Sequence, residues 1–218
     1  MEHIVTKILV VDDHAVVRQG VKQILNEQFQ GAVIGEARNA EEMIDRIKKF
    51  TWDIVVLDVG MPGKSGLDAL KDLKQVCPKL PVLVLSAYPE DQLARRMLKA
   101  GASGYLTKDS APNELVQALR KILGGGKFVS ASMAELLVAN LNEQAERPPH
   151  ELLSDREYQV MCLIAVGKSL KEISEDLCVG ISTINTYRAR ILEKMQLKNN
   201  TELTHYALEN RLVNRLIS

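Results

Sequence analysis

The chain has 218 residues, 46% of them apolar and 26% charged, and its 28 basic side chains balance 28 acidic ones. This composition excludes bulk disorder, and a net charge of zero excludes a protein that coats nucleic acid through global basicity. The length exceeds that of an average single domain, so two small domains are expected.

The opening residues lead into a short apolar run, Ile8 to Val11, that ends in Asp12 and Asp13, so the apolar centre of a signal peptide is missing. No stretch approaches the roughly 20 apolar residues that a membrane-spanning helix needs. A cytoplasmic protein with no membrane partner is therefore expected. Cys77, Cys162 and Cys178 are far apart and have no histidines at metal-ligand spacing, which points to reduced structural thiols rather than disulfides or zinc.

Up to residue 123, short β-branched runs alternate with amphipathic stretches. Residues 7–11, 32–37, 53–57, 81–86 and 104–106 have strand character. Residues 14–28, 40–49, 65–76, 89–99 and 111–123 place apolar side chains at helical spacing, as Val17, Val21, Ile24 and Leu25 do. Five βα units predict an α/β, doubly wound, five-stranded parallel sheet, with binding chemistry beyond the carboxyl ends of its strands. Gly124-Gly125-Gly126 then ends the last helix. Residues 130–142 predict another helix capped by Ser130 or Ser132, and residues 143–150 an exposed linker. From residue 151 the pattern is helical throughout. The expected division is residues 1–124, a linker 125–150 with one helix, and an all-α domain 151–218.

Asp12 and Asp13 follow the first strand and Asp58 the third. In a doubly wound sheet these strands are neighbours at the switch point, so the three carboxylates should converge. Their mutual repulsion calls for a cation, and hard oxygen ligands suit Mg2+. Ser86 ends the fourth strand and Lys108 follows the fifth, adding a hydroxyl and a cation at the same rim. A carboxylate nucleophile, a metal site, a hydroxyl and a lysine together can accept and hold a phosphoryl group. Taken singly, Asp12 or Asp13 is better explained as a helix N-cap, Asp58 as a turn former, and Ser86 and Lys108 as surface residues. Only their joint occurrence carries weight.

The stretches Val10-Val11-Asp12-Asp13-His14, Leu57-Asp58-Val59-Gly60-Met61-Pro62-Gly63, Leu85-Ser86-Ala87 and Gly104-Tyr105-Leu106-Thr107-Lys108-Asp109 resemble the motifs of bacterial response-regulator receiver domains, which have a flavodoxin-like fold. The resemblance implies that Asp58 is phosphorylated by a sensor histidine kinase. It further implies that Asp13 ligates Mg2+ with Asp12 assisting, that Asp58 and the Gly60 carbonyl complete the protein ligands, and that Ser86 and Lys108 bind phosphoryl oxygens. Tyr105 would rotate inward as the switch. Gly60 and Tyr88, two residues after Asp58 and Ser86, stand where side chains would admit or shield hydrolytic water.

In the last third, Ser154 and Glu157 form a capping-box pattern, and Gly180 can cap a helix over residues 181–195. On that helix Ile184, Tyr187, Ile191 and Met195 are expected in the core. Ser182, Asn185, Thr186 and Ala189 lie opposite, flanked by Arg188, Arg190, Lys194 and Lys198. A small polar face edged by cations suits the major groove of DNA, and it is also the pattern of an ordinary solvated helix. Leu153-Ser154-Asp155-Arg156-Glu157 and Gly167-Lys168-Ser169-Leu170 resemble the LuxR-type helix-turn-helix, as do residues 183–197. Joined to a receiver, this resembles the NarL/FixJ subfamily of response regulators. The resemblance implies promoter DNA as partner and a homodimer when phosphorylated, formed through the last helix, residues 201–212, whose apolar set Leu203, Tyr206, Ala207 and Leu212 is also needed for the domain's own small core, and it leaves room for contact with RNA polymerase. Three positions depart from the pattern: Gly180 stands for the usual Ser, Asn185 for a frequent Lys, and Tyr187 for a frequent His. Asn favours the adenine N6/N7 edge, so altered base preference is expected. A non-enzyme is expected; an aspartyl phosphatase would carry a second Asp where Gly60 stands. A regulator that binds DNA without phosphorylation is the remaining alternative.

Overall fold

The computed structural model describes residues 5–61, 66–86, 92–130, 133–135, 148–210 and 212–213, and the chain divides into two compact units, Met1–Leu137 and Val138–Ser218. In the first unit β1 (Lys7–Val11), β2 (Val33–Ala37), β3 (Ile54–Asp58), β4 (Val82–Ser86) and β5 (Gly104–Thr107) form one parallel sheet in the order β2-β1-β3-β4-β5. They alternate with α1 (Ala15–Gln28), α2 (Ala40–Lys49), α3 (Gly66–Val76), α4 (Gln92–Lys99) and α5 (Ala111–Leu123).

Side chains alternate between the two faces of a strand, and here both faces are apolar, so both must be covered. Leu9, Val11, Val55, Leu57, Val82 and Val84 pack with Met43 of α2, Leu70 and Leu73 of α3 and Met97 of α4. Ile8, Val10, Ile54, Val56, Leu83 and Leu85 pack with Leu25 of α1 and Leu115, Leu119 and Ile122 of α5. The expected doubly wound α/β fold is what forms. One boundary shift bears on chemistry: β3 runs through Asp58, which stands opposite Leu85 of β4. Asp58 is therefore held by the ladder and not left to a loop.

Past the glycine triplet the chain stays with the sheet. The Phe128 N–H donates to the Ser103 carbonyl at 2.9 Å, and the Phe128 carbonyl accepts from the Tyr105 N–H at 3.2 Å. Phe128 is buried with the α1/α5 side of the core and Met133 with the other. Gly104 permits this approach, since a Cβ there would stand 2.8 Å from the Phe128 carbonyl. Residues at the start of the expected linker thus complete the first unit's core. The Ser130 hydroxyl accepts from the Met133 N–H at 3.1 Å, the cap expected there. Ser132 and residues 136–142 of the expected helix lie outside the described residues.

The second unit holds a 3-10 turn (Pro149–Leu152), α6 (Asp155–Ala165), α7 (Leu170–Asp176), α8 (Ile181–Met195) and α9 (Asn200–Glu209). Ser154 and Glu157 make the expected capping box, and Ser169 with Glu172 makes a second one at α7. Ile173, Ile184, Ile191, Leu203 and Ala207 are fully buried in this unit, with Met195 and Leu212 nearly so. Tyr187 is only half-buried. All three cysteines are free, and no helix among the described residues is long and apolar enough to cross a membrane.

Candidate phosphoryl-acceptor site and DNA-facing helix

The register of the sheet assembles the rim. Val11 of β1 stands opposite Leu57 of β3, so the next residues, Asp12 and Asp58, meet at the same end. Ser86 stands opposite Thr107, and the following Lys108 donates its backbone N–H to the Ser86 carbonyl at 2.7 Å. From there the Lys108 side chain spans the rim, with Nζ 2.9 Å from Asp12 Oδ2 and 2.9 Å from Asp58 Oδ2. Asp58 Oδ1 accepts from the Gly60 N–H at 2.9 Å, and Asp12 Oδ1 from the His14 N–H at 2.7 Å. Neither aspartate caps α1, whose N-cap residue is His14.

Asp12 and Asp58 are 2% and 1% exposed, which sets the electrostatics. Burial raises the Asp58 carboxyl above its ordinary value and the Asp12 charge raises it further, whereas Lys108 and the Gly60 N–H offset only part of this. For Lys108, burial pulls the ammonium's pKa down, but Asp58 and Asp12 together outweigh burial and keep it charged. One ammonium thus faces two buried carboxylates, with Asp13 beside them.

Whether these residues suit a cation is decided at Asp13. Its Oδ1 is closed off from solvent with no hydrogen bond, although His14 Nδ1 lies 3.0 Å away. Ligand atoms of Asp12, Asp13, His14 and Asp58 lie within 4.8 Å of one another. A buried oxygen without a donor, beside two more carboxylates and excess negative charge, fits a small hard cation such as Mg2+. The exposed His14 imidazole is not a donor that Mg2+ prefers.

Ser86 and Tyr105 are both buried, so the aromatic ring expected to rotate inward is already inside. At Gly60 a Cβ would come 3.4 Å from Asp58 Oδ1, so a side chain there would start in contact with that carboxylate. Tyr88 lies outside the described residues. Arg18 was not expected at the site: 7% exposed, it donates from Nη1 to the Asp12 carbonyl at 2.7 Å. Its spacing from Val21 and Leu25 on α1 was the available signal of burial.

On α8, Ser182, Asn185, Thr186, Ala189 and Arg190 are exposed together. Asn185 Nδ2 donates to the Ile181 carbonyl at 3.0 Å and Thr186 Oγ1 to the Ser182 carbonyl at 3.0 Å, so both side chains fold back on their own helix. Arg188 and Lys194 are engaged elsewhere. Arg188 Nε donates to Asn200 Oδ1 at 2.6 Å, and Lys194 Nζ pairs at 2.6 Å with Glu157, which is 3% exposed. The structure therefore separates Arg190 from the other two cations of this helix.

A family model described as the response regulator receiver domain matches residues 8–120, and one described as bacterial regulatory proteins of the luxR family matches residues 151–207. Response regulator GacA of Pseudomonas protegens is 36% identical over 207 residues, covering 95% of this chain and 97% of that protein. This chain is a response regulator of the NarL/FixJ type. Response regulator UvrY of Escherichia coli is 33% identical over 208 residues, 95% of either chain. Among solved structures, the response regulator RcsB of Salmonella typhimurium aligns with a TM-score of 0.58 at 26% identity, covering 94% of this chain and 98% of that one. A LuxR-family two-component response regulator from Aurantimonas aligns at 0.59 with 36% identity, covering 64% of this chain and 99% of that one. As a response regulator with a LuxR-type DNA-binding domain, the protein is a transcription regulator and not an enzyme, which sets aside the aspartyl phosphatase.

Proposed function

We propose that this response regulator accepts a phosphoryl group on Asp58 from a sensor histidine kinase, in a Mg2+-dependent reaction, and so controls its own dimerisation and sequence-specific binding to promoter DNA in the cytoplasm. The observation that carries the proposal is the buried Asp12–Asp58 pair bridged by Lys108, with Asp13 Oδ1 closed off beside it. Asp12, Asp13, Asp58 and the Gly60 carbonyl would hold Mg2+, which when bound neutralises the carboxylates and the incoming phosphoryl oxygens. An Asp58 oxygen attacks phosphorus; the new O–P bond forms as the P–N bond to the donor's imidazole breaks and the electron pair leaves with nitrogen. Lys108 would hold a phosphoryl oxygen once the group arrives, and Ser86 at the same rim would bind another. Tyr105, whose N–H is bonded to the Phe128 carbonyl, is the switch that couples the rim to the segment after α5.

At the DNA, Ser182, Asn185, Thr186 and Ala189 would meet base edges, with Arg190 and, less directly, Arg188 and Lys194 toward phosphates. RcsB, the structural neighbour, has been solved bound to DNA, and as two dimers on two parallel DNAs. Leu203, Ala207 and Leu212, expected at the dimer interface, are spent in the unit's own core, so α9 offers Leu208, 36% exposed, as its apolar contact. Contact with RNA polymerase would follow promoter binding. Incubating the full chain with Mg2+ and phosphoramidate, then measuring intact mass, tests the reading. A phosphate adduct on wild type that is absent from Asp58→Ala, with tighter promoter binding by the adduct, is expected; an unmodified wild type favours the regulator that needs no phosphorylation.

A further inference from the structure

Among the described residues Arg18 is the one buried arginine or lysine, and burying a guanidinium is costly unless each face of it is matched. Its partners are two. Nη1 donates to the Asp12 carbonyl at 2.7 Å, and Nε lies 3.4 Å from Glu36 Oε2. Glu36 is also held by Lys22 Nζ at 2.8 Å. The hydrogen bond from Lys22 is the first of the influences that keep the Glu36 carboxyl below its ordinary range. The charge of Arg18 is thus balanced by Glu36, which leaves Nη1 for a backbone oxygen.

That oxygen matters because the carbonyl of Asp12 belongs to the peptide plane joining Asp12 to Asp13. The other groups of Asp12 are already fixed: its N–H donates to the Ala37 carbonyl at 3.2 Å, Oδ1 accepts from His14 N–H, and Oδ2 from Lys108. Arg18 supplies the remaining restraint, and without it the plane could turn and carry the Asp13 carboxylate with it.

We infer that Arg18 is a positioning residue for the cation site, holding the Asp12–Asp13 peptide so that the Asp13 carboxylate points at the ion. The inference rests on the proposed Mg2+ site. Loss of partners that orient metal ligands weakens binding by about 10–100-fold. Electrostatics alone gives the opposite sign, because removing a cation near a divalent ion tightens its binding. The direction of the change therefore separates positioning from charge.

The test is calorimetric titration of MgCl2 into the full chain, comparing wild type, Arg18→Met, Arg18→Lys and Lys22→Met. Arg18→Met should weaken Mg2+ by about tenfold. Arg18→Lys, whose single nitrogen replaces the two that Arg18 uses, should fall between it and wild type. Lys22→Met, which removes the same charge from the same network without touching Asp12, should bind at least as tightly as wild type. In phosphorylation by phosphoramidate the half-saturating Mg2+ concentration should rise in Arg18→Met by more than the saturated rate falls. Equal or tighter Mg2+ binding by Arg18→Met, or a loss in Lys22→Met as large as its own, overturns the inference; should Arg18→Met not fold, Arg18→Lys binding as wild type does the same. A wild type that takes no Mg2+ at millimolar concentration removes the cation site itself, and this inference with it.

Discussion

At Asp58 a single carboxylate meets opposing forces, and their balance can be measured by neutralising it without changing its shape. Burial and the Asp12 charge destabilise its ionised form by more than Lys108 and the Gly60 N–H stabilise it. Asp58→Asn should therefore raise the stability of the metal-free chain, on the order of 1 kcal/mol or a few degrees of melting temperature. In Mg2+ the order should reverse, because ion bound only by the native state adds about 2.7 kcal/mol at a hundredfold excess over Kd, and the variant has lost a ligand. Thermal melts in EDTA and in MgCl2 check both signs; a wild type that outlasts Asp58→Asn in EDTA would contradict the electrostatic account. That Asp12, Asp13, Asp58, Ser86 and Lys108 stand at one end of the sheet was legible in the sequence, because each ends a strand or follows one within two residues, and strand ends converge by topology alone. Arg18 was not, because the partner that ties it to the rim is a backbone carbonyl, and no residue type or spacing reports where a carbonyl will point.

Among the elements, the segment after α5 and the capping box of α6 carry the clearest consequences. The glycine triplet marks the end of α5 correctly, and it also looks like a domain boundary, since glycine breaks regular structure. Nothing in the local pattern says that Phe128 returns to the edge of β5. A chain ending at residue 124 should accordingly be less stable than one ending at residue 137, by roughly 3 to 6 kcal/mol for the two side chains Phe128 and Met133. Urea unfolding followed by Trp52 fluorescence checks this, and equal midpoints would show that the edge addition contributes little. In α6, burial alone would raise the Glu157 carboxyl, but Lys194 and the Ser154 cap outweigh it and hold it below its ordinary value of 4.5. A carboxyl lowered on folding adds stability that is complete above pH 4.5 and is lost as pH falls through the folded value. Hydrogen exchange across α6, corrected for intrinsic rates, should show protection declining in that acid window. In Glu157→Gln the decline should flatten, with about 1 kcal/mol already missing at neutral pH.

For the whole molecule, the net charge of zero limits how DNA can be held, and the ion pair between Glu157 and Lys194 sharpens that limit. Lys194 looked like a phosphate contact because its position on α8 borders the polar face, whereas a partner on another helix is invisible to helical spacing. The basic edge of α8 is thus reduced to Arg190, exposed and without an ion pair among the described residues, and to an Arg188 held by Asn200. Each phosphate contact contributes about 0.9 to the slope of log affinity against log salt. Arg190→Ala should then lower that slope by about one for each protomer on the DNA and weaken all sequences alike. Lys194→Ala should leave the slope nearly unchanged and instead loosen the packing of α6 on α8, because Glu157 stays buried without its cation. Fluorescence anisotropy with a labelled promoter duplex across a salt series, run beside melting curves, separates the two effects. If Lys194→Ala flattened the slope as much as Arg190→Ala, the Glu157 pair would have to open on DNA, and the cost of uncovering that carboxylate would then be part of the binding free energy.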